Sequence, residues 1–310
     1  MSAAPDSASA LDVLAHHGRT FHFASHLLGQ QYRARAARLY AFCRYADDLA
    51  DRSTDPKQAL SQLNSLTQAL HDPNPSHPRI ADMRALMGEL SMPMAPVRAL
   101  LDGACSDLSH RPMDSELALI HYAYQVAGTV GLMMCSVLDV KDPAAKPFAI
   151  DLGIAMQLTN IARDVGDDAS IGRIYLPADW LGPMTPAQIL DPNKAQSQAL
   201  QSATRRVLDL AEVYYSSGLQ GVYYLPRGAR YGIVVAAVVY REIGRMVADR
   251  QYRSWDQRAV VPKRRKLWLA AQTLLGYGLR NRFRDRPGAH NRALHRGLEG
   301  CFGANVRQAA

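Results

Sequence analysis

The sequence predicts an all-α protein, and three observations carry that expectation. Apolar residues recur at helical spacing along most of the 310-residue chain. Clusters of Pro and Gly separate the periodic stretches, and no alternating strand pattern of convincing length interrupts them. Helical patterns run through about 32–51, 57–70, 80–91, 95–109, 115–139, 146–168, 195–217, 229–251 and 263–280. The breaks fall at "DPNPSHP" (72–78), "SHRPMD" (109–114), "KDPAAKP" (141–147), "GPMTP" (182–186) and "LPRG" (225–228). Eight to ten helices without an internal repeat or linker make one helical domain over 13–285. A polar tail (1–12) and a basic tail (286–310) are expected to flank it.

Composition narrows the class. At 48% hydrophobic, the chain can bury a substantial core. No run is long enough to span a bilayer and no charged-then-apolar leader opens the chain, so a cytoplasmic protein is expected. Cys43, Cys105, Cys135 and Cys301 are widely spaced and form no CxxC pair, which reads as reduced thiols rather than disulfides or a zinc site. Charge is uneven: from Arg241 onward there are sixteen Lys and Arg against five Asp and Glu, a net +11 that leaves −3 on the first 240 residues. A basic end suits an acidic surface or a phosphorylated partner.

In the first long helix, "RYADDLAD" (44–51) places Tyr40, Arg44, Asp47 and Asp51 at steps of four, three and four, with Asp48 alongside. Like charges one helical turn apart repel by roughly 0.2–0.5 kcal/mol, so the stripe needs a reason. Residues 156–168, "MQLTNIARDVGDD", repeat the logic: Gln157, Asn160, Asp164 and Asp168 share one face, with Arg163 and Asp167 beside them. Either stripe alone reads as a solvated face. Two of them, facing each other in a bundle, form a cage of carboxylates. All-oxygen ligands point to a hard cation, Mg²⁺ with Mn²⁺ as an alternative, which prefers one or two carboxylates plus water and substrate phosphate. The neighbouring arginines suit a diphosphate, whose oxygens accept the guanidinium fork.

Between the stripes, "YAYQVAGTVGLMM" (122–134) holds Gly128 and Gly131 inside a helical pattern, where each costs roughly 1 kcal/mol relative to Ala. Close helix packing, a kink, or room for a ligand would each justify them. Tyr122, Val126, Val130 and Met133 share a face that is either packed core or the wall of a cavity for a greasy substrate, with the Tyr122 phenol facing any cation formed there.

These stretches together resemble the squalene/phytoene synthase family of head-to-head prenyl transferases. The resemblance covers about 18–284 and is carried by "YAFCRYADDLAD", "YQVAGTVGLMM", "MQLTNIARDVGDD" with "GRIYLP", and "VVYREIG"; the second and third are most similar to bacterial phytoene synthases. It implies an isoprenoid-synthase (class I terpenoid synthase) helical bundle around a central cavity, binding two allylic diphosphates with Mg²⁺. One ionises and is captured by the other to give a cyclopropyl diphosphate. A second ionisation joins the chains head to head, ending in proton loss for phytoene and in reduction by NADPH for squalene, so NADPH is not expected here. By the resemblance, Asp47, Asp48, Asp51, Asn160, Asp164 and Asp168 hold metal, with Tyr122 a catalytic or cation-facing phenol. Tyr40, Arg44, Gln157, Asn160, Arg163, Tyr240 and Arg258 contact diphosphate or metal-bound water, and Thr20 stands where a serine is usual. The spacing between Tyr240 and Arg258 is one residue longer than the family pattern.

Phe21, Ser25 and Ala37 extend the expected tunnel with Val126, Val130 and Met133. Small Ser25 and Ala37 favour a twenty-carbon donor, geranylgeranyl diphosphate, and hence phytoene. The alternatives are a squalene or dehydrosqualene synthase using farnesyl diphosphate, a non-catalytic assembly factor of the same fold, and a terpene cyclase. Intact DxxxD pairs favour the first class over the assembly factor, and the glycine-bearing helix disfavours the cyclase. His22 and His26 stand four apart without a third ligand, so a metal role is disfavoured. The basic and apolar stretch 261–284 reads as peripheral attachment to an anionic membrane or as a solvated face, and no nucleic-acid motif accompanies it.

Overall fold

The computed structural model describes residues 9–51, 55–108, 113–280 and 286–305, the side chains of Asp51 and of 277–280 excepted. The long helices expected from periodicity are present, and their ends follow local chemistry. Two short helices precede them: α1 (Ala10–His17), where the Ser9 hydroxyl accepts the Asp12 N–H, and α2 (Arg19–Ser25). The chain is therefore helical from Ala10, inside the segment expected as a tail.

The first acidic helix is α3 (Gln30–Asp51). α4 (Pro56–His71) and α5 (Pro78–Leu90) each begin on a proline, where the missing N–H has no intrahelical partner to lose. α6 (Met94–Asp107) follows. Next comes one continuous helical rod: α7 (Glu116–Ala123), a π-helical turn at Tyr124–Gly128, and α8 (Thr129–Val137). The π turn is fixed by the Thr129 N–H donating five residues back to the Tyr124 carbonyl.

α9 (Ala145–Arg163) breaks at Asp164, whose backbone leaves helical geometry, and resumes as α10 (Val165–Ser170). Two short helices, α11 (Ala178–Leu181) and α12 (Pro186–Leu190), lead to α13 (Lys194–Gly218); capping boxes at Thr185–Gln188 and Asn193–Gln196 start the last two. A 3₁₀ turn (Leu219–Tyr224), α14 (Arg227–Asp249) and α15 (Lys263–Arg280) complete the bundle.

α9 is the axle, packed against α13, α8 and α14. Two apolar cores form. One gathers α7, α9, α13 and α14; the other gathers α3 to α6 with α8. Between them runs a cavity bounded mainly by α3, α8, α9 and α14.

Two expectations are corrected. The rod Glu116–Val137 is long and apolar enough to cross a bilayer by length and composition, although half of its apolar window is buried within the protein. And residues 286–305 are not a loose tail: His295 and Leu298 are fully buried, the Tyr214 hydroxyl donates to the Leu294 carbonyl and the Tyr124 hydroxyl to the Phe302 carbonyl.

Candidate active site

The cavity has a volume of about 330 Å³ and a polar mouth. Asp47 and Tyr40 of α3 and Gln157 and Asn160 of α9 line the mouth. Spacing explains the alignment. On α3 the lining positions are Ala36, Leu39, Tyr40, Cys43 and Asp47, and on α9 Ala145, Phe148, Ala149, Leu152, Gly153, Met156, Gln157 and Asn160, both stripes at three- and four-residue steps.

The second acidic group is held by cations. Arg163 forks onto Asp164, with Nε 2.7 Å from Oδ1 and a second bond from its terminal nitrogen to Oδ2. Arg258 approaches the same carboxylate, Nε to Oδ1 at 2.8 Å, and reaches Asp167 at 3.4 Å. Arg44 bonds Asp48 on α3. The two stripes meet through Arg173, whose guanidinium donates to the Ala50 carbonyl at 3.5 Å and opposes the charge of Asp168. Asp51 ends α3 beside this contact, but its side chain lies outside the described residues.

Electrostatics set Asp168 apart. Burial, then the charge of Asp164, pushes its carboxyl up to about 8; Arg173 opposes this, while Asp167 and Asp107 add to it. A carboxyl so raised marks a place where negative charge is crowded and a cation is wanted. A buried, unpartnered acceptor, Asn160 Oδ1, points the same way: its amide nitrogen donates to Gln157 while the oxygen has no donor.

Tyr240 is buried behind this cluster. Burial pushes its phenol up to about 12, with Arg163 and Arg258 pulling against Asp164, and its ring lies 5.0 Å from that of Phe21. Burial, then Tyr240 and Asp47, also raises the Tyr40 phenol, against the pull of Arg44. Thr20 faces the same end, its hydroxyl accepting from Lys266 Nζ at 3.0 Å.

The expected tunnel is partly corrected. Phe21, Ser25, Val126 and Val130 line the cavity, whereas Ala37 and Met133 are wholly buried in packing. Ala36 and Met134 take their places. Ala36 is four residues from Tyr40 and so about 40° off its direction, against about 60° for Ala37. On the rod, the π turn holds one extra residue and delays the phase by one, bringing Met134 into line with Val126 and Val130. Tyr122 does not line the cavity. It stacks on Tyr175 at 5.0 Å, and the Tyr175 hydroxyl donates to Asp107 at 2.9 Å, a part-buried chain whose carboxylate adds to the charge felt by Asp168.

Three residues at this site lay outside the sequence reading: Arg173, Lys266 and Asp107. Lys266 carried a usable signal. In the run "KRRK" it alone falls on the buried stripe of α15 with Leu269, Ala270 and Thr273, and burial, then Arg19, lowers its ammonium.

An all-α bundle that sets two acidic stripes and their arginines over the mouth of an apolar cavity has the architecture of the class I isoprenoid-synthase fold. A solved dehydrosqualene synthase structure superposes with a TM-score of 0.76 at 28% identity, covering 88% of this chain and 96% of that one. The chain belongs to the squalene/phytoene synthase family of head-to-head prenyltransferases, matching it over residues 14–265. Among its relatives, a phytoene synthase of Rhodobacter capsulatus is 38% identical over 263 residues, 83% of this chain and 77% of that protein. A 15-cis-phytoene synthase of Pantoea ananas is 35% identical, covering 90% of this chain and 94% of its own length.

Proposed function

We propose that this protein joins two molecules of geranylgeranyl diphosphate head to head to give phytoene, a step of carotenoid biosynthesis, with Mg²⁺ (or Mn²⁺) and without NADPH. The observation that carries the reading is the unpartnered Asn160 Oδ1, which with Asp47 lines the mouth of a cavity that is mostly apolar. The donor set fits a hard cation: carboxylates of Asp47, Asp48, Asp51, Asp164 and Asp168 with the Asn160 amide, and no sulfur or imidazole among them. When bound, Mg²⁺ supplies charge neutralisation to the departing diphosphate.

The chain's own residues supply the rest. Arg44, Arg163, Arg258 and Lys266 offer guanidinium and ammonium donors to diphosphate oxygens, with the Tyr40 and Tyr240 hydroxyls beside them. Below the mouth, Phe21, Val126, Val130, Met134 and Leu152 exclude water, so that a cation formed there is kept from hydrolysis. Cys43 and Cys135 line the same wall. Burial pushes both thiols well above their ordinary range, aided at Cys43 by Asp47, so neither presents a thiolate to the cavity at neutral pH.

The names of the bacterial relatives support the twenty-carbon substrate. The likeness to a dehydrosqualene synthase structure supports a second reading, condensation of farnesyl diphosphate. A peripheral site on an anionic membrane at the cytoplasmic face is part of the proposal. Leu267, Trp268, Leu274 and Leu275 are exposed on α15, which opens with Lys263, Arg264 and Arg265.

Incubation of the purified protein with Mg²⁺ and either diphosphate, with and without NADPH, followed by mass spectrometry of the hydrocarbon, tests the assignment. A forty-carbon product without NADPH is expected. A thirty-carbon product from farnesyl diphosphate alone moves the assignment to the second reading.

A further inference from the structure

The fully buried carboxylate of Asp151, in the middle of α9, ties down the C-terminal strap 286–305. It accepts from His290 Nε2 at 2.8 Å, from His295 Nε2 at 3.0 Å and from the Ser217 hydroxyl of α13. These Asp and His ligand atoms lie within 4.8 Å of one another, close enough to suggest a metal. The hydrogen bonds on the far side of the rings say otherwise. The backbone N–H of Asn305 donates to His295 Nδ1 at 2.7 Å, and the Asn305 amide nitrogen sits 3.2 Å from His290 Nδ1. A backbone N–H can only donate, so His295 Nδ1 is a lone pair and the ring proton is on Nε2, aimed at Asp151. A cation on Nε2 would drive that proton into the Asn305 N–H. The buckle is held by protons.

What the buckle holds is a wall. His290 stands edge-on to Phe148, ring centres 5.2 Å apart. Phe148 precedes Asp151 by one helical turn and lines the far end of the apolar cavity, about 18 Å below Asn160 at 1.5 Å per residue. Phe148 also borders a second pocket of about 480 Å³, open to solvent and of mixed polar and apolar lining, which the strap flanks with Arg286–His290 and Gly303–Asn305. Phe148 is thus the partition between the two spaces. Its base is pressed by Gly221, where an added Cβ would sit 2.4 Å from Phe148 Cβ.

We propose that Phe148 is the chain-length-determining floor of the cavity, held in position by His290 of the strap, so that removing its ring opens the cavity toward the pocket behind it. The proposal rests on the prenyltransferase reading. Phe148 meets the tail of the substrate; His290 acts through Phe148 as a positioning residue.

The test compares kcat/KM for farnesyl, geranylgeranyl and the twenty-five-carbon geranylfarnesyl diphosphate in wild type, Phe148→Ala, the milder Phe148→Leu, and His290→Gln. Gln keeps an amide donor for Asp151 while removing the ring from Phe148. The ratio of the twenty-five- to the twenty-carbon substrate is expected to rise at least about tenfold in Phe148→Ala. It should rise by less in Phe148→Leu, and also in His290→Gln, with the melting temperature of the last close to wild type. An unchanged ratio in both folded Phe148 variants overturns the floor. A ratio that moves in these but not in folded His290→Gln overturns the role of the strap. A wild type inactive on all three diphosphates sinks the prenyltransferase reading itself, and the proposal with it.

Discussion

Gly131 of α8 lies so close to Ala149 of α9 that a Cβ on Gly131 would sit 2.1 Å from the Ala149 carbonyl oxygen. The two helices touch backbone to backbone there, and the counterpart contact, Gly153 on Ala127, would bring a Cβ within 2.3 Å of a carbonyl oxygen. Both glycines also line the cavity. The intimacy of the helices and the room for substrate therefore share one cause, the absence of a side chain.

Gly131→Ala must move backbone, since no rotamer relieves the contact. We expect a loss of about 3 kcal/mol, the upper end of overpacking costs, together with loss of turnover. Calorimetric unfolding checks the first and product formation the second. Gly88→Ala, on a helix where an added Cβ meets nothing within 4 Å, serves as the control and should not lose stability.

Asp164 and Asp168 stand one turn apart and should respond oppositely to neutralisation. Asp164 is clamped by the part-buried Arg163 and the exposed Arg258, so Asp164→Asn removes charge-assisted bonds from both, and the loss at Arg163 dominates a cost of about 1–2 kcal/mol. Asp168 carries crowded negative charge, so Asp168→Asn should raise the melting temperature of the metal-free protein. Both variants should lose product formation. A stabilised Asp164→Asn would contradict the clamp.

The same crowding gives a pH signature. The Asp168 carboxyl is raised to about 8 in the folded chain, so between the ordinary carboxylate range and pH 8 the folded state holds a proton that the unfolded state has released. Its contribution to stability is present at low pH and lost as pH rises through about 8. The melting temperature of wild type without Mg²⁺ should therefore fall over that interval relative to Asp168→Asn. Saturating Mg²⁺ should shrink the difference.

Much of this was legible in the chain. The long helices among the described residues announce themselves by apolar period and by Pro and Gly at their ends, and the two acidic stripes declare a shared site because each repeats a polar face that a solvated helix does not need. Finer placement failed for physical reasons. Helical spacing in the sequence points to Met133, whereas Met134 lines the cavity, because a π turn changes the phase of a rod without altering its composition. The sequence places Ala37 one turn before Tyr40, whereas Ala36 lines the cavity, because steps of three and four deviate from a common face by different angles. The short helices α1, α2, α11 and α12 are too brief to show a period at all. Asp151 and its two histidines are separated by 139 and 144 residues, and nothing local in "HNRALH" (290–295) points to a carboxylate in α9.

The Asp151 buckle makes the last prediction, and it separates protons from metal. Burial alone would push the Asp151 carboxyl up, but hydrogen bonds from His290 and His295 outweigh it and hold the group below the ordinary carboxylate range. A depressed carboxyl contributes stability that is present above its unfolded value and lost as pH falls through the folded one. Amide exchange in residues 290–305 should therefore accelerate on acidification below the carboxylate range. Chelators should leave the melting temperature at neutral pH unchanged, whereas a structural metal would make it fall. Asp151→Asn has the same shape but offers an N–H where a carboxylate oxygen accepted. One histidine Nε2–H then faces a donor, and His295 cannot move its proton to Nδ1 because the Asn305 N–H already points there. The isosteric change should cost about 1–3 kcal/mol, the range for leaving a buried donor without its acceptor. Strap exchange should rise before the rest of the fold opens.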